Sequence, residues 1–369
     1  MKIATVVLDF NKQGGIERAA YELTRNFIHS GEDVTVFSSS FQDLDYQITK
    51  VRVPAWAFKT STKLLSFRFN FQRALKKEKY DIIHSHAANI KNCDVLTAQS
   101  CHKAGMEIRQ QLSKHFLSNK NLHIADTIRL HVEKLSFTKG NYKKIIAVSN
   151  GLKKEICEYY NVPPEDIVVI PNGVNLQEFH SIAEEEKFLK RKELGFSKDD
   201  IVLLFVGNEF DRKGLELVII AMDLIKHKNV NLLVVGKDNP KPYYELATKL
   251  NLGNRILFKG LQNPLTQYYN ASDIFVLPTY HESFLIAGME AAACGLPLLI
   301  TKVPGVEDYL KDGENGYFIN RDADDIANNI VKLIDNNGLR KQLSFDAINS
   351  AKNYSWKNIS EKTLSLYNE

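Results

Sequence analysis

Two carboxylates enclose an apolar stretch in the last quarter of the chain. Residues 281–297 read HESFLIAGMEAAACGLP, and Glu282 and Glu290 stand eight positions apart in it. A carboxylate is rarely buried without a partner, so each of the two indicates a polar contact at its position. Glu290 can accept two O–H hydrogen bonds at once, which suits a vicinal diol such as that of ribose.

The local pattern places both carboxylates after a strand. The preceding residues, DIFVLPT, are typical of a buried strand, so YHESF predicts a loop at its C-terminal end and a helix starting near Ser283 or Phe284. Eight helical positions would separate the two side chains by about 80°, so they could contact opposite ends of one ligand. Free N–H groups from Ser283 to Ile286 would face a phosphate or sugar oxygen.

Two glycine-containing segments also follow predicted strands. In FNKQGGIERAAYELTRNF, Gly14 and Gly15 precede a predicted helix whose first N–H groups could bind an anion; a plain tight turn is the alternative. In LLFVGNEFDRKGLELVIIAM, a strand ends at Gly207, and Arg212 and Lys213 precede another helix. This position suits a diphosphate, because arginine can bind phosphate oxygens bidentately, although such a pair alone is usually surface charge.

Strand-like and helical patterns alternate along the whole chain. The strand-like runs are KIATVVLDF, DVTVFSS, DIIHSH, DVLTAQ, KIIAVS and DIVVIPNG in the first half, then IVLLFVG, VNLLVVG, RILFKG, DIFVLPT and PLLIT. Continuously apolar runs separated by helix-length segments indicate βαβ units with parallel strands. The segment IPNGVNLQEFHSIAEEEKF marks a boundary. We therefore expect an α/β protein with two facing Rossmann-like doubly wound domains, residues 1–170 and 171–352, and ligands in the cleft between them.

Composition allows two cores and shows an uneven charge. The chain has 369 residues, 44% of them hydrophobic. Residues 1–170 carry 25 Lys and Arg against 17 Asp and Glu (+8), and residues 171–369 carry 23 against 27 (−4). The basic excess is densest in residues 59–79, which predicts either contact with an anionic membrane surface or an amphipathic helix with a solvated basic face. No nucleic-acid-binding motif is present, so we expect no nucleic-acid partner.

Other features limit the location and the cofactor. No run approaches the ~18 apolar residues of a membrane span, and the first residues lack the pattern of a signal peptide. The four cysteines are scattered, so we expect free thiols and a cytoplasmic protein, with peripheral contact at the inner face of the membrane as an option. Neither half contains GxGxxG, which argues against a dinucleotide-dependent oxidoreductase.

Four motifs together resemble one enzyme family. Glu282-x7-Glu290, the Arg212-Lys213-Gly214 triplet, the GGIER loop and IPNGVNLQEF are similar to those of the retaining glycosyltransferases of family 4, which have the GT-B fold. Within that family, EFDRKG and VVGKDNP resemble segments of lipopolysaccharide core glucosyltransferases. The resemblance covers nearly the whole chain. It implies that a closing helix, residues 353–369, crosses back onto the first domain.

The resemblance also implies roles for the matching residues. Arg212 and Lys213 would hold the diphosphate of a nucleotide-sugar and stabilise it as a leaving group. Glu290 would bind the ribose, and Glu282 the transferred sugar. Gly260 and Leu261 would lie beside the base. The donor-binding set it implies is Gly15, Gly207, Arg212, Lys213, Gly260, Leu261, Glu282, Ser283, Phe284, Leu285, Ile286 and Glu290.

Catalysis in this family is compatible with the absence of a metal or other cofactor. Cationic side chains and helix dipoles can stabilise the leaving group, and no enzymatic nucleophile is evident, so we expect a front-face mechanism. Family members often carry a His or Asp near the donor sugar, and Ser100 or His102 in DVLTAQSCHKAG could match it. The expected catalytic residues are therefore Arg212, Lys213, Glu282 and His102. His84 and His86 could line the acceptor side, but without a third ligand they do not predict a metal site. The acidic run 322–325 is typical of a helix N-terminal turn.

The expected function is transfer of a hexose from a nucleotide-sugar, UDP-glucose or a related UDP-sugar, to a glycan or lipid-linked acceptor in cell-surface polysaccharide or lipopolysaccharide synthesis. The alternatives are an inactive nucleotide-sugar-binding protein of the same fold and a UDP-sugar epimerase.

Overall fold

The computed structural model describes residues 1–12, 14–42, 44–56, 60–75, 78–87, 90, 92–113 and 124–369. The chain divides into two units. The first unit contains Met1–Gly173 together with Trp356–Glu369, and the second unit contains Val174–Ser355. The last helix therefore belongs to the first unit, and the two divisions lie close to the boundaries at 170 and 353 that the sequence indicated.

The first unit is built on a parallel sheet of seven strands in the order β5-β3-β1-β6-β7-β8-β9, with β2 and β4 forming a separate short pair. Its strands are β1 (Lys2–Val6), β2 (Asp9–Phe10), β3 (Asp33–Ser38), β4 (Ser40–Phe41), β5 (Thr49–Arg52), β6 (Ile82–His86), β7 (Cys93–Ala98), β8 (Tyr142–Ala147) and β9 (Ile167–Val169). Its helices are α1 (Gly15–His29), α2 (Thr60–Leu75), α3 (His102–Ser113), α4 (Ile124–Ser136), α5 (Asn150–Tyr160) and α14 (Trp356–Tyr367).

The second unit is built on a parallel sheet of six strands in the order β12-β11-β10-β13-β14-β15. Its strands are β10 (Ile201–Val206), β11 (Val230–Val235), β12 (Ile256–Gly260), β13 (Ile274–Leu277), β14 (Leu298–Thr301) and β15 (Gly316–Ile319). Its helices are α6 (Glu184–Leu194), α7 (Phe210–Lys213), α8 (Leu215–Leu224), α9 (Lys241–Lys249), α10 (Thr266–Asn270), α11 (Ile286–Ala293), α12 (Ala323–Asp335) and α13 (Asn337–Lys352).

Each strand-like run of the sequence forms a strand, so the predicted fold class, two Rossmann-like α/β domains, is confirmed. The sequence prediction missed β5 and β15, which end their sheets, and the short pair of β2 and β4. An edge strand is paired on one side only, and in β5 three of the four residues, Thr49, Lys50 and Arg52, are exposed. A continuous apolar run therefore identifies the central strands of these sheets better than their edges.

Helix α14 is anchored in the first unit by its apolar face. Trp356, Ile359, Leu366 and Tyr367 belong to the same buried cluster as residues of β1 and α1. The Tyr367 ring lies 5.8 Å from that of Phe27. In the second unit, Asp322 caps α12 by accepting the Asp325 N–H, as the acidic run predicts. Among the described residues, no helix combines the length and the apolar character needed to cross a bilayer.

Candidate functional site

The functional loops of the second unit lie side by side because the strands that precede them are neighbours. Strands β10 and β13 pair in parallel, so the residues that follow both emerge at the same edge of the sheet. The Tyr280 N–H donates to the Arg212 carbonyl at 2.9 Å, which joins the two loops directly. The order of the strands therefore brings Arg212 and Lys213 to Glu282, although 69 positions separate Lys213 from Glu282.

Glu282 and Lys213 form a buried ion pair at this edge. The Lys213 ammonium donates to Glu282 Oε1 at 2.6 Å, the Thr279 hydroxyl donates to the same oxygen at 2.9 Å, and Arg212 Nη1 lies 3.3 Å from it. Burial alone would raise the pKa of the Glu282 carboxyl, but the charges of Lys213 and Arg212 outweigh it and hold that pKa below its ordinary value. Burial lowers the pKa of Lys213, and Glu282 opposes that shift.

Two glycines allow close packing around this pair. A Cβ at Gly207 would lie 2.2 Å from Lys213 Cδ, so the stem of the lysine occupies the space that a side chain would need. Gly214 has a φ of +75°, and a Cβ there would lie 2.5 Å from the Pro278 carbonyl oxygen. Gly207 thus lies against the stem of Lys213. Its contact with the donor stays a prediction.

The loop that carries the cations is braced by the segment after β11. The Phe210 N–H donates to Asp238 Oδ2 at 2.7 Å, and the Tyr243 hydroxyl donates to Asp211. Arg212 also donates to the His281 carbonyl. These bonds hold the residues just before Arg212 and the Arg212 guanidinium itself, and Glu282 holds the Lys213 ammonium. The two cations are therefore held in place before any ligand binds.

The predicted helix start near Ser283 or Phe284 is wrong. Helix α11 begins at Ile286, with Leu285 as its N-cap, and Ser283 and Phe284 lie in the preceding loop. The N–H of Ile286 lies 3.1 Å from the Phe284 carbonyl. Glu282 therefore precedes the helix, and the rotation of about 80° does not describe its relation to Glu290. The two carboxylates differ in setting: one lies in a loop ion pair, the other inside a helix.

Glu290 is buried on α11 and is held by a tyrosine. The Tyr269 hydroxyl donates to Glu290 Oε2 at 2.7 Å, and the Tyr269 ring packs edge-on against Phe179 at 5.6 Å. Tyr269 is not predicted from the sequence, because no spacing links α10 to α11. Thr279 is not predicted either, although it lies three residues before Glu282 in the same loop and could have been found from that proximity.

Gly260 and Leu261 lie at the end of β12. Gly260 has a φ of +67°, and its carbonyl accepts the Gly236 N–H at 3.0 Å. The Leu261 side chain is exposed. Backbone contact with a base at this strand end stays a prediction.

The glycine loop of the first unit begins a helix as predicted. Gly15 is the first residue of α1, and Gly14, with a φ of +82°, is its N-cap. A Cβ at Gly14 would lie 2.5 Å from Glu17 Oε2, so glycine leaves space for the carboxylate of Glu17. Burial raises the pKa of the Glu17 carboxyl.

His102 and Ser100 line one cavity of about 330 Å³ in the first unit. His102 begins α3, its Nε2 lies 3.1 Å from Asp126 Oδ1, and its backbone N–H donates to Glu133 Oε1 at 2.8 Å. Burial lowers the pKa of the His102 imidazole, and Arg109 adds to that shift. Both residues that the sequence offered for the reacting centre are thus lining residues of the same cavity.

His84 and His86 do not line an open surface, so that expectation is wrong. Both side chains are fully buried, and their rings lie 4.2 Å apart. His84 Nδ1 lies 2.5 Å from the Tyr367 hydroxyl and Nε2 lies 2.6 Å from Thr97 Oγ1. The pair belongs to the interior beneath α14. Within the described ranges, no cluster of three or more His, Cys, Asp or Glu side chains is arranged to hold a metal ion.

Comparison with known proteins agrees with this arrangement. Residues 13–178 match the sequence profile of Glycosyltransferase Family 4, and residues 186–350 match that of Glycosyl transferases group 1. The two profiles together span most of both units, and the chain therefore belongs to the glycosyltransferases of the GT-B fold. The family prediction is confirmed at this level.

Individual relatives agree over the full length. An uncharacterized glycosyltransferase of Methanocaldococcus jannaschii is 28% identical over 396 residues, which cover 100% of this chain and 98% of the relative. The crystal structure of WaaG, a glycosyltransferase involved in lipopolysaccharide biosynthesis, superposes with a TM-score of 0.82 at 21% identity and 99% coverage of both chains. The crystal structure of Anabaena HepE, solved with UDP and glucose, superposes with a TM-score of 0.77 at 17% identity, and the match covers 100% of this chain and 99% of HepE.

Proposed function

We propose that the protein transfers a hexose from UDP-glucose or a related UDP-sugar to a glycan or lipid-linked acceptor of cell-surface polysaccharide or lipopolysaccharide, with retention of configuration at the anomeric carbon. The observation that carries the proposal is the placement of Arg212 and Lys213. Both are fixed beside Glu282 at the C-terminal edge of a parallel sheet, and Glu290 lies on the helix that follows Glu282. The similarity to HepE, which was solved with UDP and glucose, supports UDP as the nucleotide.

The donor would be held by groups of different chemistry. Arg212 and Lys213 supply N–H donors and positive charge for the diphosphate. Glu290 accepts hydrogen bonds from the two ribose hydroxyls, and Glu282 accepts from a hydroxyl of the transferred sugar. The base lies against the backbone of Gly260 and Leu261. The cations are already positioned by Glu282 and by the braced loop, so little reorganisation is needed when the diphosphate binds.

The reaction that these groups support is a front-face displacement. The bond between the anomeric carbon and the diphosphate oxygen breaks, and its electron pair stays with the diphosphate, whose charge Arg212 and Lys213 stabilise. The acceptor oxygen forms its bond to the anomeric carbon on the same face. The acceptor proton passes to the departing phosphate oxygen, so the step needs neither a metal nor an enzymatic nucleophile. His102 would contact the sugar near the reacting carbon.

Calorimetric titration tests the donor assignment. UDP, GDP and ADP, and then their glucose forms, are titrated into the wild type, Glu290→Ala and the control Glu193→Ala, in which an exposed glutamate of α6 is removed. We expect selective binding of UDP that Glu290→Ala abolishes and Glu193→Ala retains. Failure of the folded wild type to bind any of these nucleotides would contradict the ribose assignment.

Peripheral contact with an anionic membrane is the second part of the proposal. On α2, Phe67 and Phe71 are buried, whereas the Phe69 side chain is 62% exposed with Arg73 over its ring at 4.4 Å. Trp56, just before the helix, is 76% exposed. Exposed aromatic rings beside cations suit the interface of anionic lipids. Lys59, Lys76 and Lys77 of the predicted segment lie outside the described residues.

Vesicle sedimentation tests this contact. We expect the wild type to bind vesicles that contain phosphatidylglycerol more than vesicles of phosphatidylcholine alone, and Phe69→Ser to reduce that binding. Phe345→Ser is the matched control, because Phe345 is 60% exposed but lies on α13 of the second unit. Equal losses in the two variants would remove the assignment to α2.

A further inference from the structure

The cavity in the first unit has mostly apolar walls. Its volume is about 330 Å³, within the range of small-molecule sites. Nine of the fifteen lining residues are apolar, among them Leu64, Ala98 and Phe137. The polar lining residues are Glu17, Gln99, Ser100, His102, Arg129 and Glu133. The larger share of apolar residues means that most of a ligand's surface in this cavity would face hydrocarbon.

Several of the polar lining groups already have protein partners. The side-chain amides of Gln99 and Asn172 exchange two hydrogen bonds, at 2.9 and 2.8 Å. Glu133 accepts the His102 N–H and the Tyr160 hydroxyl. A ligand with hydroxyls on every side would therefore leave many of them facing apolar walls, which is unfavourable. A ligand with one polar end and one apolar part fits these walls better.

Helix α2 connects the cavity with the exposed aromatic face. Leu64 lines the cavity, while its neighbour Leu65 and, one turn further, Phe69 are exposed to solvent. The helix is held in this orientation by Lys63, whose ammonium lies 2.6 and 2.7 Å from the two carboxylate oxygens of Asp9 on β2. One helix thus forms both a wall of the cavity and the surface proposed to contact the membrane.

We propose that this cavity binds the apolar chain of a lipid acceptor, with the polar head directed to the side of Ser100 and His102. The inference rests on the proposed function and narrows its acceptor to a lipid. Because α2 is shared, a lipid that leaves the bilayer beside Phe69 meets the wall formed by Leu64. A soluble oligosaccharide without an apolar part would gain little from the same walls.

Binding of alkyl glucosides measures the apolar contact without knowledge of the natural acceptor. Methyl, butyl, hexyl and octyl β-D-glucoside are titrated calorimetrically into the UDP-bound wild type, below the micelle concentration. Burial of one methylene strengthens binding by up to about fourfold. We expect affinity to rise with chain length in the wild type. Affinities that do not change with chain length would overturn the proposal.

Three variants test where the alkyl chain of the glucoside binds. Leu64→Ser makes one wall polar and Ala98→Leu fills part of the cavity, so both should flatten the dependence on chain length. Leu65→Ser changes the outer side of the same helix and should keep the dependence. If Leu65→Ser lost the dependence of affinity on chain length and Leu64→Ser retained it, the alkyl chain would bind on the outer face of α2. That result would contradict the cavity assignment.

UDP binding separates this inference from the function on which it rests. Wild type and variants should bind UDP with equal affinity, because Leu64, Leu65 and Ala98 are not among the residues proposed to hold the donor. A protein that binds UDP but shows no dependence on chain length rejects the lipid acceptor alone. A protein that binds no nucleotide rejects the proposed function, whatever the glucosides do.

Discussion

The two candidate binding regions differ in the chemistry of their walls: one is charged and the other is mostly apolar. In the second unit, charged groups are buried and satisfied by one another: Lys213, Arg212 and Thr279 all converge on one oxygen of Glu282. In the first unit, the cavity beside His102 has mostly apolar walls. Buried charges tolerate little displacement, since each depends on its partners, whereas apolar walls accept many shapes. If the proposed function holds, fixed electrostatics specify the donor, and shape and apolar area specify the acceptor.

The largest effect should follow removal of the cation in the buried pair. Lys213→Ala deletes the ammonium that would stabilise the leaving diphosphate and leaves Glu282 with less positive charge around it. We expect kcat/KM for UDP-glucose to fall by about 10²–10³-fold, as when a single transition-state donor is lost. A lower Tm should accompany the loss, because breaking a buried ion pair is strongly destabilising.

A double variant separates the two effects of that change. Lys213→Ala combined with Glu282→Ala should recover part of the lost Tm without recovering activity, since the uncompensated charge is gone but the cation is still missing. Lys249→Ala, at an exposed lysine at the end of α9, is the control and should retain both activity and Tm. Recovery of turnover in the double variant would show that Lys213 acts only on stability.

A methyl group at Gly207 should disturb the same lysine without removing it. Its Cβ would lie 2.2 Å from Lys213 Cδ, so the lysine stem must move. We expect Gly207→Ala to lower kcat/KM by about 10–100-fold, since small displacements of a catalytic group are costly. Gly253→Ala is the matched control, because a Cβ there meets nothing within 4 Å. If both variants turned over UDP-glucose equally, the position of the lysine stem would not limit catalysis.

The sequence could predict which residues stand at strand ends but not which of them meet. Arg212, Lys213 and Glu282 were found from their places after apolar runs. Their pairing depends on β10 and β13 being neighbours, which no local pattern encodes. The helix start at Ile286 was missed because no Ser, Thr, Asp or Asn caps α11; Leu285 does.

Long-range contacts were likewise beyond local sequence patterns. The bond from Tyr269 to Glu290 joins separate helices, and the contact of His84 with Tyr367 spans 283 positions. The apolar run DIIHSH predicts that β6 is buried, but it does not predict that α14 covers it. The pattern therefore located the elements, while strand order and helix return decided which side chains meet.

Acid should weaken the first unit through its buried histidines. Burial lowers the pKa of His86 from 6.5 to about 3, and it lowers that of His84, with a further contribution from His86. The unfolded chain therefore takes up protons between pH 6.5 and 3 that the folded unit does not, so stability is full above pH 6.5 and falls below it. For His86 alone, the free energy of unfolding at pH 5 is about 2 kcal/mol lower than above pH 6.5.

Tryptophan fluorescence measures this effect in the first unit alone, because Trp56 and Trp356 both belong to it. We expect the unfolding midpoint of the wild type to fall between pH 7 and pH 5. His86→Leu should reduce that fall, whereas His227→Leu, at a half-buried position of the second unit, should leave it unchanged. An identical fall in His86→Leu and wild type would exclude His86 as the source.

The smallest effect should come from the tyrosine that holds Glu290. Tyr269→Phe keeps the ring against Phe179 but removes the hydroxyl that donates to Glu290 Oε2. The carboxylate then keeps its charge and loses one constraint on its orientation toward the ribose. A hydrogen bond of ordinary net strength, about 1 kcal/mol, corresponds to roughly a fivefold change, which we expect in KM for UDP-glucose with kcat retained because this bond orients Glu290 and does not itself contact the donor.

The neighbouring tyrosine provides the control for this change. Tyr268→Phe removes a hydroxyl that donates to Gln262 at 2.7 Å, from the same helix and with the same change in volume. We expect KM to be unchanged in Tyr268→Phe. If the two variants raised KM equally, the effect would belong to α10 as a whole; if only Tyr269→Phe did so with kcat retained, Glu290 would act in binding the donor. That split would extend the contrast between the regions, because orientation by a single buried hydroxyl matters only where the site depends on fixed polar geometry.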